Sequence, residues 1–154
     1  MRYKTIYEIV NDSLKKIAQD FNTLEGVTTI DFLDIFPRSE EHKRLLDEEA
    51  LILGKIIDKT ERGDFYVLNT PIKTAFGDLL IIKIRKFDET RLPWLSAPDF
   101  NVDNYDEFVK KYQTDNRFTY IEKPTYKGLE FKTKNSLVYF LDEPTTIYYG
   151  LKKK

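Results

Sequence analysis

Two short stretches, 68 residues apart, each place an Asp-Phe pair near the start of a predicted β-strand. They are Ile30-Asp31-Phe32-Leu33 and Pro98-Asp99-Phe100-Asn101-Val102. Each stretch is followed by charged residues, then by an amphipathic helical pattern, and then by further strands. The repeated order predicts two tandem βαβββ modules whose aspartates, Asp31 and Asp99, face one shared cavity across a pseudo-twofold axis.

The hydrophobic pattern divides the chain into four segments. Apolar residues at three- and four-residue spacing predict a helix over residues 3–22. We therefore expect an N-terminal helical segment (1–26), a first βαβββ module (27–87), a connector (88–97) and a second module (98–150). The predicted fold class is α+β: two modules that form a curved, antiparallel-rich cup, preceded by a helix, in one compact structural domain.

Side-chain alternation along the strands predicts which residues face the helices. In the first strand these are Ile30, Phe32 and Phe36, and the opposite face carries Asp31, Leu33 and Ile35. In the strand over residues 78–86, Leu80, Ile82 and Ile84 face the helices, and the opposite face carries Leu79, Ile81, Lys83 and Arg85. In the second module Phe100 faces the helices and Asp99 faces away. Asp31, Lys83, Arg85 and Asp99 are thus predicted to share the face without helices.

Three local predictions concern the remaining elements. The helix that starts after Ser39 is expected to bury Leu45, Leu46 and Ala50. The single histidine, His42, falls between charged residues and is interpreted as a solvated surface residue. Near the C-terminus, residues 147–149 are interpreted as a short edge strand.

Composition and charge exclude several function classes. The chain has 154 residues, of which 25 are basic and 26 acidic, and its net charge of -1 gives no electrostatic basis for binding nucleic acid or an anionic membrane. It contains no cysteine, which excludes disulfides, thiolate catalysis and thiolate-bound zinc. No signal peptide or membrane-spanning run is recognised, so a cytoplasmic location is expected.

The paired βαβββ order resembles the vicinal oxygen chelate superfamily, which contains glyoxalases, bleomycin-resistance proteins and extradiol dioxygenases. The leading helical segment, the connector and the stretch Leu68-Asn69-Thr70-Pro71-Ile72 look more like its YecM-like branch. The resemblance implies a cup lined by the sheet faces that carry no helices. It also implies that metal-binding members place a histidine or glutamate on the first strand, and an acid on the last strand, of each module.

This resemblance puts Asp31 and Asp99 at the first-strand positions, Lys83 at the last-strand position of module one, and Tyr139 at that of module two. Lys83 is a cation where a divalent metal needs an acceptor. The resemblance therefore implies a degenerate site, and no cofactor is favoured. If a divalent metal were bound, the carboxylates of Asp31, Asp99 and Glu130 would be its ligands.

The function that we favour from the sequence is binding of a small polar or anionic ligand in the cup. Its candidate ligand-binding residues are Asp31, Lys83, Arg85, Asp99, Tyr139 and Trp94. Trp94, in the connector, would either cover the cup or anchor the connector against the core.

Three alternatives stay open. One is a divalent-metal-dependent lyase, isomerase or dioxygenase that uses carboxylate ligands. Another is a protein-interaction domain, monomeric or homodimeric, that uses the N-terminal helix or the sheet edges. The third is a nuclease-like site, in which Pro98-Asp99 combines with Glu130-Phe131-Lys132. Whether the chain is an enzyme at all is left undecided by the sequence.

Overall fold

The structure, a computed structural model, describes residues 2–153 and contains one continuous eight-stranded sheet. The helices in this range are α1 (Ile6–Phe21), α2 (Glu40–Leu53), α3 (Tyr105–Tyr112) and α4 (Thr145–Tyr148), with a 3-10 turn at Glu89–Arg91. The strands are β1 (Val27–Ile35), β2 (Gly54–Thr60), β3 (Gly63–Thr74), β4 (Gly77–Arg85), β5 (Ser96–Val102), β6 (Phe118–Glu122), β7 (Lys127–Lys132) and β8 (Leu137–Leu141).

The strand order in the sheet is β2-β3-β4-β1-β5-β8-β7-β6. β1 runs parallel to β4, β5 runs parallel to β8, and β1 pairs with β5 in antiparallel orientation. Each half of the sheet is thus one βαβββ unit, and the two first strands meet at the centre. The predicted α+β class, with two βαβββ modules forming a curved sheet after an N-terminal helix, is confirmed.

A helix-covered face of the sheet holds the main hydrophobic core. Phe21, at the end of α1, packs edge-on against Phe100 of β5 and Phe76, with ring centroids 4.7 and 5.6 Å apart. Phe108 of α3 packs against Phe140 of β8 at 4.7 Å. Edge-on and tilted aromatic pairs of this kind stabilise a core beyond the area that they bury. Because residues from both modules share this cluster, the two halves have one common core.

α1 is fixed at its N-terminus by local and long-range hydrogen bonds. The backbone N–H of Glu8 donates to the Thr5 hydroxyl and that of Thr5 to the Glu8 carboxylate, which forms a capping box. The next free donor, the backbone N–H of Ile6, bonds Glu49 Oε1 of α2 at 2.9 Å. These hydrogen bonds satisfy backbone donors at the N-terminus of α1 that have no partner within the helix, and they join α1 to α2.

The predicted side-chain alternation in β1 is wrong from Phe32 onward. Ile30 pairs with Phe100 of β5, but Phe32 pairs with Asp99, so Asp31 is an extra residue in β1 at this point. Such a β-bulge reverses which face each later residue occupies. Leu33 and Ile35 therefore lie in the helix-side core, whereas Phe32 and Phe36 line the opposite face.

In β4 the predicted alternation is right for most of the strand. Ile82 and Ile84 pack in the helix-side core, and Lys83 and Arg85 lie on the opposite face. Leu79 and Leu80 are the exceptions, because Leu79 packs in the helix-side core with Ile72, whereas Leu80 is only partly buried and lies outside that core. The pairing of β3 with β4 shifts register between Leu79 and Ile81, which breaks the regular alternation.

α2 buries Leu46 and Ala50 as predicted, but its third buried residue is His42 and not Leu45. His42 is fully buried, with Leu46 and Ala50 one and two turns further along, whereas Leu45 is 38% exposed. The His42 ring stacks on Tyr3 with a centroid distance of 4.8 Å. Its Nδ1 accepts from the backbone N–H of Arg38 at 3.0 Å, and its Nε2 lies 2.9 Å from the carbonyl oxygen of Lys4. His42 thus connects the N-terminal segment to the start of α2.

The predicted C-terminal edge strand is also wrong. Pro144 is followed by α4, one turn of helix that crosses the face of the sheet opposite α1 to α3. Within the described residues, every helix is too short or too polar to cross a membrane.

We expect His42→Phe to lower the free energy of unfolding by about 2 kcal/mol at pH 7.5, because two hydrogen bonds of about 1 kcal/mol each are lost. Burial lowers the pKa of His42 below its ordinary value of 6.5. Below that value the unfolded chain binds a proton that the folded protein excludes, so the wild type loses stability as pH falls. The difference between the two proteins, measured by urea unfolding, should therefore shrink between pH 7.5 and 5.5. A difference that is independent of pH would contradict this role of His42.

Candidate functional site

The sheet face without α1 to α3 contains a cavity of about 700 Å³. Its charged lining residues are Asp34, Asp58, Glu61, Arg62, Lys83, Arg85, Arg91, Asp99 and Glu143. Its aromatic lining residues are Phe32, Phe36, Phe65, Tyr126, Tyr139, Tyr148 and Tyr149. Its volume is in the usual range of small-molecule sites, and its nine charged residues make the lining more polar than that of most such sites.

One row of residues crosses the cavity floor in the first module. Asp34 of β1 pairs in register with Lys83 of β4, Lys83 pairs with Phe65 of β3, and Phe65 pairs with Asp58 of β2. Residues paired directly across neighbouring strands lie on the same face of a sheet. The row therefore brings an acid, a cation, a ring and a second acid side by side on the cavity floor.

A second row begins at Phe32 in the first module and continues across the second module. Phe32 of β1 pairs with Asp99 of β5, Asp99 pairs with Tyr139 of β8, and Tyr139 pairs with Glu130 of β7. The Tyr139 hydroxyl donates to Glu130 Oε2 at 2.9 Å. Its hydrogen-bond donor is therefore already used within the row.

The two rows occupy equivalent positions in the two modules. Near the cavity the β1–β5 pairing is symmetric about the pair Leu33–Pro98, which makes Asp34 the counterpart of Asp99. Each of these aspartates pairs with the last strand of its own module, at Lys83 and Tyr139 respectively. The sequence-based equivalence of Asp31 with Asp99 is therefore wrong, and Asp34 is the residue that it missed.

Asp34 is buried at the floor, with 8% of its surface exposed. Its nearest cation is Arg85, whose Nη1 lies 3.6 Å from Oδ1, within range of an ion pair but too far for a hydrogen bond. Among residues 2–153, Oδ1 has no hydrogen-bond partner. Burial raises the pKa of Asp34, and the charges of Arg85 and Lys83 oppose that rise. The carboxylate is thus desolvated without being fully paired.

Asp99 lies on β5, the strand next to that of Asp34, and is 4% exposed. Burial raises the pKa of Asp99 well above its ordinary value, and the negative charges of Asp34 and Asp31 raise it further. Lys83 acts in the opposite direction. Burial together with like charge favours the neutral carboxylic acid, which can donate a hydrogen bond as well as accept one.

Lys83 stands between these acids and an aromatic ring. Its Nζ lies 4.6 Å from the ring centroid of Phe65. Within the described chain it forms no hydrogen bond to a side chain and no ion pair with an acid. Burial lowers the pKa of Lys83, and Asp34 partly offsets that effect. The ammonium group is therefore available to a ligand that enters the cavity.

Two arginines provide further positive charge at the same end. The guanidinium carbons of Arg85 and Arg91 lie 5.6 and 5.3 Å from the ring centroid of Phe36. Contact with the ring holds both planar groups and reduces the freedom that a ligand would have to remove.

Asp31, a predicted ligand residue, has another role. Its Oδ2 accepts from the backbone N–H of Thr145 at 2.6 Å, and its Oδ1 accepts from the hydroxyl and backbone N–H of Thr146 at 2.5 and 3.3 Å. Burial raises the pKa of Asp31, and these three hydrogen bonds limit the rise. Asp31 therefore supports α4 instead of lining the cavity.

α4 in turn forms one wall of the cavity. The Tyr149 hydroxyl, just after the helix, donates to Asp58 Oδ2 at 2.6 Å, and its ring packs 5.3 Å from that of Phe65. The C-terminal segment thus spans the cup from β1 to β2. Hydrophobic periodicity could not predict this contact, because a single helical turn is too short to show a repeat.

The other predicted residues are distributed as follows. Lys83, Arg85, Asp99 and Tyr139 all line the cavity. Trp94 does not: it packs on the cluster of Phe36, Ala97 and Leu137 and lines a separate cavity of about 480 Å³ beside α1. Of the two roles predicted for Trp94, the anchor for the connector is the one that the structure supports.

The residues at the floor do not fit a divalent metal. The four equivalent positions hold Asp34, Lys83, Asp99 and Tyr139, and a cationic ammonium group would repel a metal ion placed among them. The pKa of Asp99 is raised, which opposes the ionised form that a metal needs. Among residues 2–153, no group of three His, Cys, Asp or Glu side chains could hold a metal ion. The predicted ligand set of Asp31, Asp99 and Glu130 is thus not brought together.

Comparison with known proteins supports the fold. No protein-family model and no curated protein matches the sequence. A solved structure described as "Structural Genomics, Protein EC4020" is similar with a TM-score of 0.70 and 11% identity, over 96% of this chain and 93% of that one. A glyoxalase/bleomycin resistance protein/dioxygenase superfamily member from Vibrio splendidus 12B01 gives a TM-score of 0.47 and 10% identity, over 73% and 98%. The similarity to EC4020 shows a shared fold, and the YecM-like branch stays a prediction.

We expect Asp31→Asn to loosen α4, because an amide offers one acceptor oxygen where the carboxylate offers two. Loss of one or two hydrogen bonds should cost about 1 kcal/mol. Amide hydrogen exchange over residues 145–149 should become faster than in the wild type. Asp142→Asn is the matched control, since Asp142 is exposed and accepts from Lys127 N at 3.2 Å instead of from α4. Equal protection of α4 in both variants would show that Asp31 does not hold it.

We expect Asp99→Asn to gain stability relative to the wild type as pH rises. Above the ordinary aspartate value of 3.8 the unfolded chain has lost its proton, whereas a raised pKa keeps the proton on folded Asp99. The wild type therefore loses stability as pH rises towards the folded-state pKa, by about 1.4 kcal/mol for each unit of that rise. Urea unfolding at pH 4.5, 6.0 and 7.5 measures the difference between the two proteins. A difference that stays constant, or changes in the opposite direction, would refute the raised pKa.

Proposed function

We propose that this chain is a glyoxalase-like domain that binds a small organic anion in its concave cavity, at a metal position that has become degenerate. The observation that carries the proposal is Lys83. Its ammonium group is partly buried at the cavity floor, beside Phe65, and has no acidic side chain of residues 2–153 within ion-pair distance.

A buried charge without a partner is costly to the folded state. Removing an ammonium or carboxylate from water costs several kcal/mol unless hydrogen bonds and opposite charges replace the water. Neither Lys83 nor Asp34 has enough hydrogen bonds and opposite charges to replace the water that it has lost, and both lie in the same cavity. Strongly perturbed groups gathered in one cleft are characteristic of a functional site. A bound ligand that supplies the missing partners accounts for their presence there.

The positive groups favour an anionic substituent on that ligand. Arg62, Arg85 and Arg91 line the cavity together with Lys83. Guanidinium groups bind carboxylates and phosphates through paired hydrogen bonds, and an ammonium group adds a compact charge. The aromatic walls suit an apolar body attached to the anionic group.

Lys83 also offers an explanation for the degenerate metal position. It occupies the last-strand position at which the superfamily resemblance implies an acidic ligand. In the proposed function its ammonium group supplies the positive charge that a metal ion supplies elsewhere. The chain thereby keeps a positively charged hydrogen-bond donor at the cavity floor without a cofactor.

A thermal-shift and calorimetric screen of aryl and alkyl carboxylates and phosphate monoesters tests this function. A ligand that binds only the folded protein raises its melting temperature. We expect Lys83→Met to weaken the best ligand roughly tenfold or more, since a hydrogen bond to a charged group contributes about 1.5–3 kcal/mol.

Lys73→Met is the matched control, because Lys73 is exposed on β3 and does not line the cavity. It should leave the affinity unchanged. The proposal fails if no compound raises the melting temperature, or if the two lysine variants bind the best compound equally well.

A further inference from the structure

Asp34 and Lys83 are opposite charges in register on neighbouring strands, yet they are not paired with each other. No oxygen of Asp34 lies within ion-pair distance of the Lys83 ammonium, which is placed over the Phe65 ring instead. Neighbouring strands are about 4.8 Å apart, so the two groups are close enough for one small molecule to contact both.

The two groups need complementary partners. Asp34 Oδ1 is buried, and no donor among residues 2–153 lies within hydrogen-bond distance of it. Lys83 carries three donors and no acceptor capacity. A ligand that satisfies both must therefore present a donor on one side and an acceptor on the other.

A ligand with a single charge satisfies only one of them. An anion on Lys83 would also face the carboxylate of Asp34, and a cation on Asp34 would also face Lys83 and Arg85. Like charges in a poorly solvated site repel strongly. A ligand that carries both charged groups on one carbon atom offsets each of these repulsions with an attraction of opposite sign.

We propose, building on the anion-binding function above, that the ligand is an α-amino acid or ends in one, with its ammonium group on Asp34 and its carboxylate on Lys83. An α-amino acid carries these two groups on one carbon atom, which matches donor and acceptor sites on adjacent strands. The burial that favours a neutral Asp99 supports the same ligand, because a neutral carboxyl adds no second negative charge near the ligand carboxylate.

The aromatic residues next to Asp34 and Lys83 favour one kind of side chain on the proposed amino-acid ligand. Phe65 packs between Phe32 and Tyr149, at centroid distances of 5.7 and 5.3 Å, and forms an aromatic strip beside Lys83. Aromatic and apolar groups pack well on such a strip. The preferred amino acid is therefore an aromatic or large apolar one.

Three compounds of similar shape test the proposal on the unmodified protein. L-phenylalanine has both charged groups, phenylpropionate lacks the ammonium group, and phenylethylamine lacks the carboxylate. Calorimetry at pH 7 should show phenylalanine binding roughly tenfold or more tightly than either analogue, since each analogue loses one charged hydrogen bond.

Asp34→Asn then assigns the ammonium site. It should remove the preference for phenylalanine over phenylpropionate, while phenylpropionate binds as well as before or better, because a repelling charge is gone. General damage to the fold would weaken all three compounds together. Asp78→Asn is the control, since Asp78 is exposed on β4 outside the cavity.

The outcomes separate this inference from the function on which it rests. If phenylpropionate binds as tightly as phenylalanine, the amino-acid ligand is refuted and anion binding stands. If neither compound binds, the amino-acid ligand is refuted, and the carboxylate and phosphate screen decides on anion binding independently. A preference for phenylalanine that survives Asp34→Asn refutes the assignment of Asp34.

Discussion

The antiparallel pairing of β1 with β5 is the interaction on which the rest of the structure depends. It joins two four-stranded units into one sheet, and both units place their helices on the same face. Because β1 and β5 are the first strands of their modules, each is flanked on its other side by the last strand of its own module. The four central strands therefore align Asp34, Lys83, Asp99 and Tyr139 at the floor of the cup. A site at this seam needs both modules to be complete.

The two faces of this sheet have different roles. The helix-covered face holds aromatic and aliphatic residues that exclude water, and it supplies most of the stabilisation. The opposite face holds several charged groups that are desolvated by their neighbours and only partly paired. Such groups reduce stability unless a ligand completes them, and the large shared core compensates for that cost.

The sequence was sufficient to predict the fold and part of the site. Element order and strand alternation led to the paired βαβββ architecture, and they placed Lys83, Arg85 and Asp99 on the face without α1 to α3. They failed in β1 from Phe32 onward because a bulge is a feature of pairing between two strands, and nothing within one strand marks it. They failed at His42 because its partners are backbone groups of Lys4 and Arg38, which hydrophobic periodicity does not report. Asp34 was missed as a consequence of the first error.

The two modules differ at the floor of the cup. Both modules supply an aspartate at the floor, but one pairs with a lysine on the neighbouring strand and the other with a tyrosine whose hydroxyl is already bonded to Glu130. One half of the floor is therefore strongly charged, whereas the other favours a neutral carboxyl. A symmetric ligand would leave one half poorly matched. The proposed function therefore predicts that a ligand with a charged end and an uncharged end binds in one orientation only, with its charged end over the first module.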